Sequence, residues 1–384
     1  MIWKKRINME LRSILIKQTF RKRIVIEKKN NQFIKIKNKN YCNFSSNDYL
    51  GLSQDIRVIN AWKKGASIYG VGSGASAYIT GYTKAHAALE EELADWLGFS
   101  KAILFISGFT ANEAIISSLA KKKDCIFTDR LIHTSLLYAS HMSSAQLYRF
   151  KHNNIDDLIK KYNHYYGKAN IIVTEGVFSM DGDNAPLLAL KHFSKNTNSL
   201  FVVDDAHGIG TIGLQGRGSC YHQQVQPDIL IITFGKAFGI SGAAVLCNTD
   251  IARYLLQFSR HLIYSTAMSP AQAYTLRIAL HCIQKGDDIR EKLNNNINYF
   301  RTNVKKLPFL FKNSHTAIQP LMIGDNYQTM MLSLQLAQNN ILVTAIRPPT
   351  VPVGSARLRI TLNSTHSKKD INQLLDTLYE LSNK

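Results

Sequence analysis

The segment Ile-Leu-Ile-Ile-Thr-Phe-Gly-Lys-Ala-Phe-Gly-Ile-Ser, residues 229–241, decides the fold. Its first half is an apolar run. Its second half breaks at once into glycine and small residues around one lysine, Lys236. A short apolar run bounded by glycine reads as a strand buried on both faces. A reactive group directly after it sits where open α/β sheets bind ligands, at the carboxyl end of a parallel strand. Gly235, Ala237 and Gly239 leave the amine open to a bulky planar group. Desolvation there would lower its pKa and make it a nucleophile or Schiff-base former. Taken alone, a lysine between glycines reads as a loop lysine.

Working outward, similar runs recur: AILFI at 102–106, CIFT at 125–128, NIIVTE at 170–175, LFVVDD at 200–205 and AAVLC at 243–247. Helical patterns lie between them, which predicts an α/β fold with a mostly parallel sheet covered on both faces. One helix is well marked: after Thr83, KAHAALEEELADWLG spaces Leu89, Leu93 and Leu97 four apart, and Gly98 follows as a C-terminal stop. We expect a large domain over 46–285 and a smaller α+β domain over 286–384, with a long polar helix, strands and a last helix near 368–382. Residues 1–45 are expected to pack with the small domain, as a basic helix followed by a hairpin in VIEKKNNQFIKIKNKNYCNF, residues 25–44.

The 384 residues carry 47 Lys+Arg against 27 Asp+Glu, with 45 % hydrophobic and 19 % charged residues. That balance excludes a disordered chain, a coiled coil or a collagen-like fibre. No uninterrupted apolar run approaches the roughly 18–20 residues of a membrane span. Five widely spaced cysteines with no C-x-x-C pair argue against a disulfide framework or structural zinc, and read as buried thiols in a reducing compartment. Residues 1–40 concentrate 13 Lys/Arg against 2 Asp/Glu. This arm reads as a presequence, a nucleic-acid arm, or a solvated segment that could also draw in an acidic partner. Nucleic-acid binding would need interleaved aromatics, and the arm offers only Trp3, Phe20 and Phe33.

Three further segments carry chemistry. VVDDAHGIG (202–210) ends an apolar strand in Asp204 and Asp205, with His207 following. A carboxylate there can face solvent, bind metal or neutralise a buried cation. No other His/Asp cluster has ligand spacing, so a protonated heterocycle suits it better. SGFTAN (107–112) joins a strand to an apolar helix with small residues, a layout suited to a phosphate. GVGSGASAYITG (70–81) is a second Gly/Ser-rich loop of low specificity.

A phosphate cradle, an aspartate and a lysine on successive strand ends resemble fold-type I pyridoxal-phosphate enzymes. TFGKAFGIS (233–241) is similar, position by position, to the class II aminotransferase attachment pattern. SSNDYLGL (45–52), EGVFSMDGD (175–183), DDAHG (204–208), QGRGSC (215–220) and HLIYSTAMSP (261–270) resemble the α-oxoamine synthases. Within that family FISGF, LLQFSRHLIYST and above all AIRPPTVPVGSARLRIT (345–361) are similar to its biotin-pathway branch. The similarity runs almost end to end, which weakens the presequence reading.

The resemblance implies a fold-type I PLP-dependent transferase and the cofactor pyridoxal 5'-phosphate. It implies decarboxylative condensation of L-alanine with a pimeloyl thioester of coenzyme A or acyl carrier protein. A cytoplasmic homodimer with active sites at its interface is implied too, with no metal, nucleic-acid or membrane partner. Residue by residue, Lys236 matches the Schiff-base lysine and proton shuttle, Asp204 the partner of the pyridine nitrogen, and His133 the residue stacked on the ring. His207 and Ser179 match groups near the phenolic oxygen. Gly108, Phe109 and Thr233 match phosphate contacts, with Ser265 and Thr266 completing that cup from a second subunit. Arg359, two after Arg357 on one strand face, matches the arginine for the amino acid's carboxylate, with Asn47 on the substrate side. Arg21 and Thr350 match acyl-chain contacts. The chain departs from the family at Ala75 and Ala77, where many members have a glycine-rich loop, and at Ile209, where a threonine is common. Sister α-oxoamine synthases using glycine or serine, and a fold-type I aminotransferase, stay open as alternatives.

Overall fold

The computed structural model describes residues 1–30 and 32–382. The chain divides into two compact units. One holds Asp48–Ser179 and Asp183–Glu291; the other holds Met1–Asn47, Met180–Gly182 and Lys292–Lys384.

The first unit is built on a seven-stranded sheet: β1 (Lys101–Phe105), β2 (Cys125–Asp129), β3 (Gln146–Phe150), β4 (Asn170–Glu175), β5 (Leu200–Asp204), β6 (Ile229–Thr233) and β7 (Ala243–Cys247). They lie in the order β1-β7-β6-β5-β4-β2-β3. Strands β2 to β6 run parallel, and β7 is antiparallel to both β6 and β1. Only residues 234–242 separate β6 from β7. That is too short for a parallel crossover, which needs a dozen residues or more, so the chain must turn straight back. Two reversals leave β1 pointing the same way as β6. The apolar runs form the core, with Ile126, Val173, Val202, Ile231 and Val245 among its buried residues. The edge strand β3 was not foreseen: QLYRF is half-exposed along most of its length and carries no continuous apolar signal.

Helix α1 (Lys84–Leu97) starts at a Thr83 capping box completed by His86 and ends at Gly98 in the left-handed conformation. Leu89 and Leu93 are fully buried. The next large buried side chain is Trp96 rather than Leu97, which is half-buried. A period of 3.6 brings the third contact back after seven residues from Leu89, not eight. Helices α2 (Gly108–Leu119) and α3 (Thr134–Met142) follow β1 and β2. In the 70–81 loop the positive φ falls on glycines, 75° at Gly70 and 70° at Gly74, and neither Ala75 nor Ala77 needs one. The alanines are therefore accommodated without backbone strain. Ile209 is fully buried, a core side chain where a hydroxyl was expected.

In the second unit, Phe33–Ile36 and Lys39–Asn43 form a hairpin whose two-residue turn puts Lys37 at φ 47° and Asn38 at φ 64°. Two positive φ values are what a type I′ turn requires. Lys39–Asn43 also pairs in parallel with Ile341–Leu342, and Thr361 N donates to Phe44 O at 2.8 Å, so the N-terminal segment and the C-terminal part share one unit. A second sheet orders Leu310–Phe311, Ile318–Gly324, Ala356–Thr361 and Thr344–Ile346, all antiparallel. The polar helix is Asp287–Val304, of which Lys292 onward belongs to this unit, and the last helix is Lys368–Ser382. All five cysteines are buried free thiols. No helix of the described residues is long and apolar enough to cross a membrane.

The phase of α1 is testable. Leu93→Ala should lower the unfolding free energy by about 2–5 kcal/mol, the usual cost of emptying a closed core site. Leu97→Ala should cost clearly less. Urea unfolding midpoints compare the two, and equal shifts would return Leu97 to the buried face.

Candidate active site

The site grows from the carboxyl ends of parallel strands. Glu175 and Asp204 are cross-strand partners at the ends of β4 and β5, and Asp204 pairs with Ile231 of β6. Lys236 lies in the turn just beyond β6. That turn is held by Phe234 N donating to Gly242 O, Ile240 N to Phe234 O and Gly239 N to Lys236 O, each at 2.9 Å. Phe234 and Phe238, both fully buried, meet edge-to-face with centroids 5.0 Å apart and anchor the turn in the core.

Helix α2 begins at the same sheet edge. Ser107 caps it, its Oγ accepting from Thr110 N at 3.2 Å. The N–H groups of a first helical turn have no partner within the helix and favour an anion. A Cβ added at Gly108 would come within 2.6 Å of Thr233 Oγ1, so only glycine lets the helix start this close to the hydroxyl. Phe109 is half-exposed, with its ring 6.0 Å from that of Tyr138.

Asp204 is buried. Its Oδ2 accepts from Asn112 Nδ2 at 2.8 Å and its Oδ1 from Ala206 N at 3.0 Å. The same Asn112 Nδ2 donates to Ser135 Oγ at 2.8 Å. Ser135 Oγ lies 2.7 Å from His133 Nδ1, which also accepts from Ser135 N at 3.3 Å. The donors fix the direction of this chain. Asn112 can only donate from Nδ2, Ser135 passes its own proton on, and His133 Nδ1 is the acceptor. Neutral His133 therefore carries its proton on Nε2. Burial lowers the His133 pKa, Lys236 acts in the same direction and Asp204 opposes them, so the ring is neutral in ordinary buffer.

The adjacent Asp205 belongs to a different environment. Its Oδ2 accepts from Ser219 N at 2.6 Å. A Cβ on Gly176, Gly208 or Gly218 would fall 2.0, 2.2 or 2.1 Å from its carboxylate oxygens, so three glycines enclose it. Burial pushes its pKa up to about 7. His207 is buried, with Nδ1 2.6 Å from the Tyr49 hydroxyl. Ser179 is buried in the loop after β4. Ser265 and Thr266 line a cavity of about 380 Å³ with Tyr78, Tyr82, Glu90 and Thr110, and Lys236 is not among its lining residues.

In the second unit, buried Arg359 donates from Nη1 to Asn47 Oδ1 and to Thr361 Oγ1, both at 3.0 Å. Arg357, on the same strand, instead pairs with Asp181 at 3.0 Å. Burial disfavours charge on Asp181, but Lys312 and Arg357 together hold its carboxyl below the usual range. The two arginines thus differ in environment although sequence spacing makes them equivalent. Arg21 Nη2 donates to Thr350 Oγ1 at 3.1 Å, joining two residues 329 positions apart. Sequence reasoning missed Asn112, Ser135 and Tyr49. Asn112 and Tyr49 stand inside the quoted segments SGFTAN and SSNDYLGL, which was the available signal.

Residues 39–378 match the family model described as Aminotransferase class I and II. An 8-amino-7-oxononanoate synthase of Buchnera aphidicola subsp. Baizongia pistaciae is 56 % identical over 381 residues, covering 99 % of both chains. Among solved structures, a serine palmitoyltransferase from S. paucimobilis with bound PLP–myriocin superposes with a TM-score of 0.92 at 28 % identity, over 97 % of this chain and 96 % of that one. An 8-amino-7-oxononanoate synthase from Francisella tularensis does so at 0.76 with 33 % identity, over 89 % of this chain and 97 % of that one. The cofactor is pyridoxal phosphate, and the residues present fit it. Gly108 keeps clear, beside Thr233 Oγ1, the space a Cβ would fill, and Asp204 is a buried carboxylate suited to a cationic ring nitrogen. With more than half its residues identical to such a relative from end to end, the chain belongs to the 8-amino-7-oxononanoate synthases, pyridoxal-phosphate-dependent acyltransferases of the class II aminotransferase superfamily.

Proposed function

We propose that the chain joins L-alanine to a pimeloyl thioester, of coenzyme A or acyl carrier protein, and forms 8-amino-7-oxononanoate for biotin. In the net reaction the alanine Cα–carboxylate bond and the acyl C–S bond break. A bond from Cα to the acyl carbon forms, CO2 leaves, and the sulfur departs with a proton. The observation that carries this reading is the directed hydrogen-bond chain from Asp204 through Asn112 and Ser135 to His133, at the sheet edge that carries Lys236.

When bound, pyridoxal phosphate supplies an electron sink for the pair left on Cα. Lys236 Nζ would anchor it covalently and, once the amine of alanine has taken its place, the freed lysine would take the Cα proton and return one after CO2 has left. Asp204 would hold the pyridine nitrogen, and Gly108, Phe109 and Thr233 the phosphate. Ser179 and His207 would hold the phenolic oxygen, with Tyr49 fixing the His207 ring through Nδ1. His133 would stack on the ring, and its Nε2–H is the donor left for the thioester oxygen as charge develops there. Arg359 and Asn47 are assigned the alanine carboxylate, for which a guanidinium suits bidentate capture. Ser265 and Thr266 are assigned to the phosphate of a second subunit in a cytoplasmic homodimer. Arg21 and Thr350, already joined at 3.1 Å, are assigned the polar end of the acyl chain.

Three measurements test the roles. Borohydride reduction of the holoenzyme followed by peptide mapping should place the cofactor on Lys236, and an adduct on any other lysine removes it from that role. Asp204→Asn keeps volume but loses charge. Exchange of the alanine α-proton in D2O without thioester should slow by on the order of 10²–10³, the scale of a key electrostatic group. Exchange at the wild-type rate would show that Asp204 does not act on the ring. The enzyme should also prefer pimeloyl to octanoyl thioester, because unpaired polar groups reject a chain more strongly than a missing methylene does. Thr350→Val should narrow that kcat/KM ratio by about tenfold, the scale of one hydrogen bond to a charged group. Equal use of both donors by the wild type, or preference for acetyl or succinyl thioesters, would move the chain to a sister activity.

A further inference from the structure

Two residues beyond the edge strand β3 stands a histidine that the scheme above does not use. His152 Nδ1 lies 3.0 Å from Asp129 Oδ1, and its Nε2 lies 2.7 Å from Asp183 Oδ2. A carboxylate only accepts hydrogen bonds, so both contacts are bonds only when both ring nitrogens carry protons. The ring also meets the buried Phe178 edge-on, with centroids 4.4 Å apart. Asn153 repeats the bridge: its N donates to Asp129 Oδ2 at 2.8 Å and its Nδ2 to Asn184 O at 3.0 Å. Its φ of 52° is a conformation that asparagine adopts more readily than most residues. The two anchor points lead to residues assigned to the cofactor. Asp129 ends β2, and its Oδ1 also accepts from Leu131 N at 2.7 Å, in the turn that runs on to His133. Asp183 closes the loop after β4, where Phe178 N donates to Asp183 O at 2.9 Å and Val177 pairs with Asn184. Ser179 lies inside that loop. Asp129, His152, Ser179 and Asp183 all belong to the first unit.

We infer that His152 is a positioning residue: its doubly protonated ring ties the turn that leads to His133 to the loop that carries Ser179, and so sets both for the cofactor. This rests on the proposed roles of His133 and Ser179. Among the described residues the ion-pair partner of both Asp129 and Asp183 is His152. Asp129 is 1 % exposed, and a carboxylate so far from water is costly without a paired charge. A neutral ring would turn a lone pair toward one of the two carboxylates. Burial works against charge on the ring, yet the two carboxylates outweigh it and raise the His152 pKa to about 10. The edge strand thereby gains a task that its mixed sequence does not announce: it delivers one cation to the ends of its two neighbours in the sheet order β4-β2-β3.

Asp183 is the end of the bridge to vary, because it is partly exposed and its loss leaves the buried Asp129 paired. Asp183→Asn keeps an oxygen that accepts from Nε2. Its affinity for added pyridoxal phosphate, followed by absorbance, should stay within about threefold of wild type. Asp183→Ala frees the loop, and cofactor affinity should fall by about tenfold, the scale of one hydrogen bond to a charged group. The pH midpoint of the bound cofactor's absorbance reports on groups near its phenolic oxygen. It should move by about one pH unit in Asp183→Ala, as Ser179 is displaced, and hold in Asp183→Asn. A loss of stability alone would leave that midpoint in place. Nitrogen NMR of histidine-labelled holoenzyme, wild type minus His152→Asn, should show two protonated ring nitrogens at about pH 8, where an ordinary histidine is neutral. That readout needs no turnover and no folded Asp183→Ala. The clamp is overturned if Asp183→Ala matches wild type in affinity and midpoint, if Asp183→Asn falls as far as Asp183→Ala, or if the His152 ring is neutral. A wild-type protein that develops no cofactor absorbance would sink the site reading itself, whereas normal wild-type binding with an unaffected Asp183→Ala sinks only the clamp.

Discussion

A carboxylate buried at the end of a strand is the constraint around which the first unit is organised. Taking Asp204 out of water is costly unless donors replace the lost hydration. The Asn112 amide at 2.8 Å and the Ala206 N–H at 3.0 Å do so. Asn112 lies in the second turn of α2, so satisfying Asp204 also fixes where that helix starts, and with it the approach of Gly108 to Thr233. The remaining donor of Asn112 reaches Ser135 in α3, and Ser135 sets the tautomer of His133. One charge thus links β5, α2 and α3. Removing Asn112 would disturb a helix origin, a carboxylate and a histidine together.

The neighbouring carboxyls show why only one of three serves this purpose. Glu175, Asp204 and Asp205 occupy adjacent strand ends, and a dry site cannot hold three negative charges close together. Asp205 is drawn into a pocket walled by Gly176, Gly208 and Gly218, where burial raises its pKa to about 7. Burial, and after it Asp204 itself, push Glu175 well above the ordinary carboxylate range. Environment separates what composition makes alike. The glycines in EG, DDAHG and GRGSC read from the sequence as loop residues, and in the structure they are the space that Asp205 needs.

Much of this was legible in the residue string because two signals were strong. Continuous apolar runs placed six strands within a residue or two, and small residues around charged ones marked the strand ends. What failed to show had weak or misleading local signals. Edge strand β3 mixes Gln146, Tyr148 and Arg149 with apolar residues, since half of it faces water. The third contact of α1 fell on Trp96, because a spacing of four drifts off a helical face within two turns. Asn112 and Ser135 are uncharged residues whose value lies in contacts 92 and 23 positions away, with Asp204 and between themselves, and no local pattern announces such a partner. The difference between Arg357 and Arg359 depends on Asp181, which lies far from both in sequence.

The two structural relatives divide the problem in an instructive way. The serine palmitoyltransferase superposes at a TM-score of 0.92 with 28 % identity, whereas the 8-amino-7-oxononanoate synthase superposes at 0.76 with 33 %. The ranking by shape and the ranking by sequence are opposite, so backbone geometry does not select the acyl donor. The strand ends of the first unit carry Lys236 and the hydrogen-bond chain from Asp204 to His133, the set proposed above for the chemistry on the cofactor. Discrimination between acyl chains then rests on side chains rather than on the course of the backbone. Arg21 and Thr350, joined at 3.1 Å within the second unit, are the pair proposed above for the polar end of the acyl chain. A shared backbone therefore leaves the choice of substrate to side chains, which can change without altering the fold.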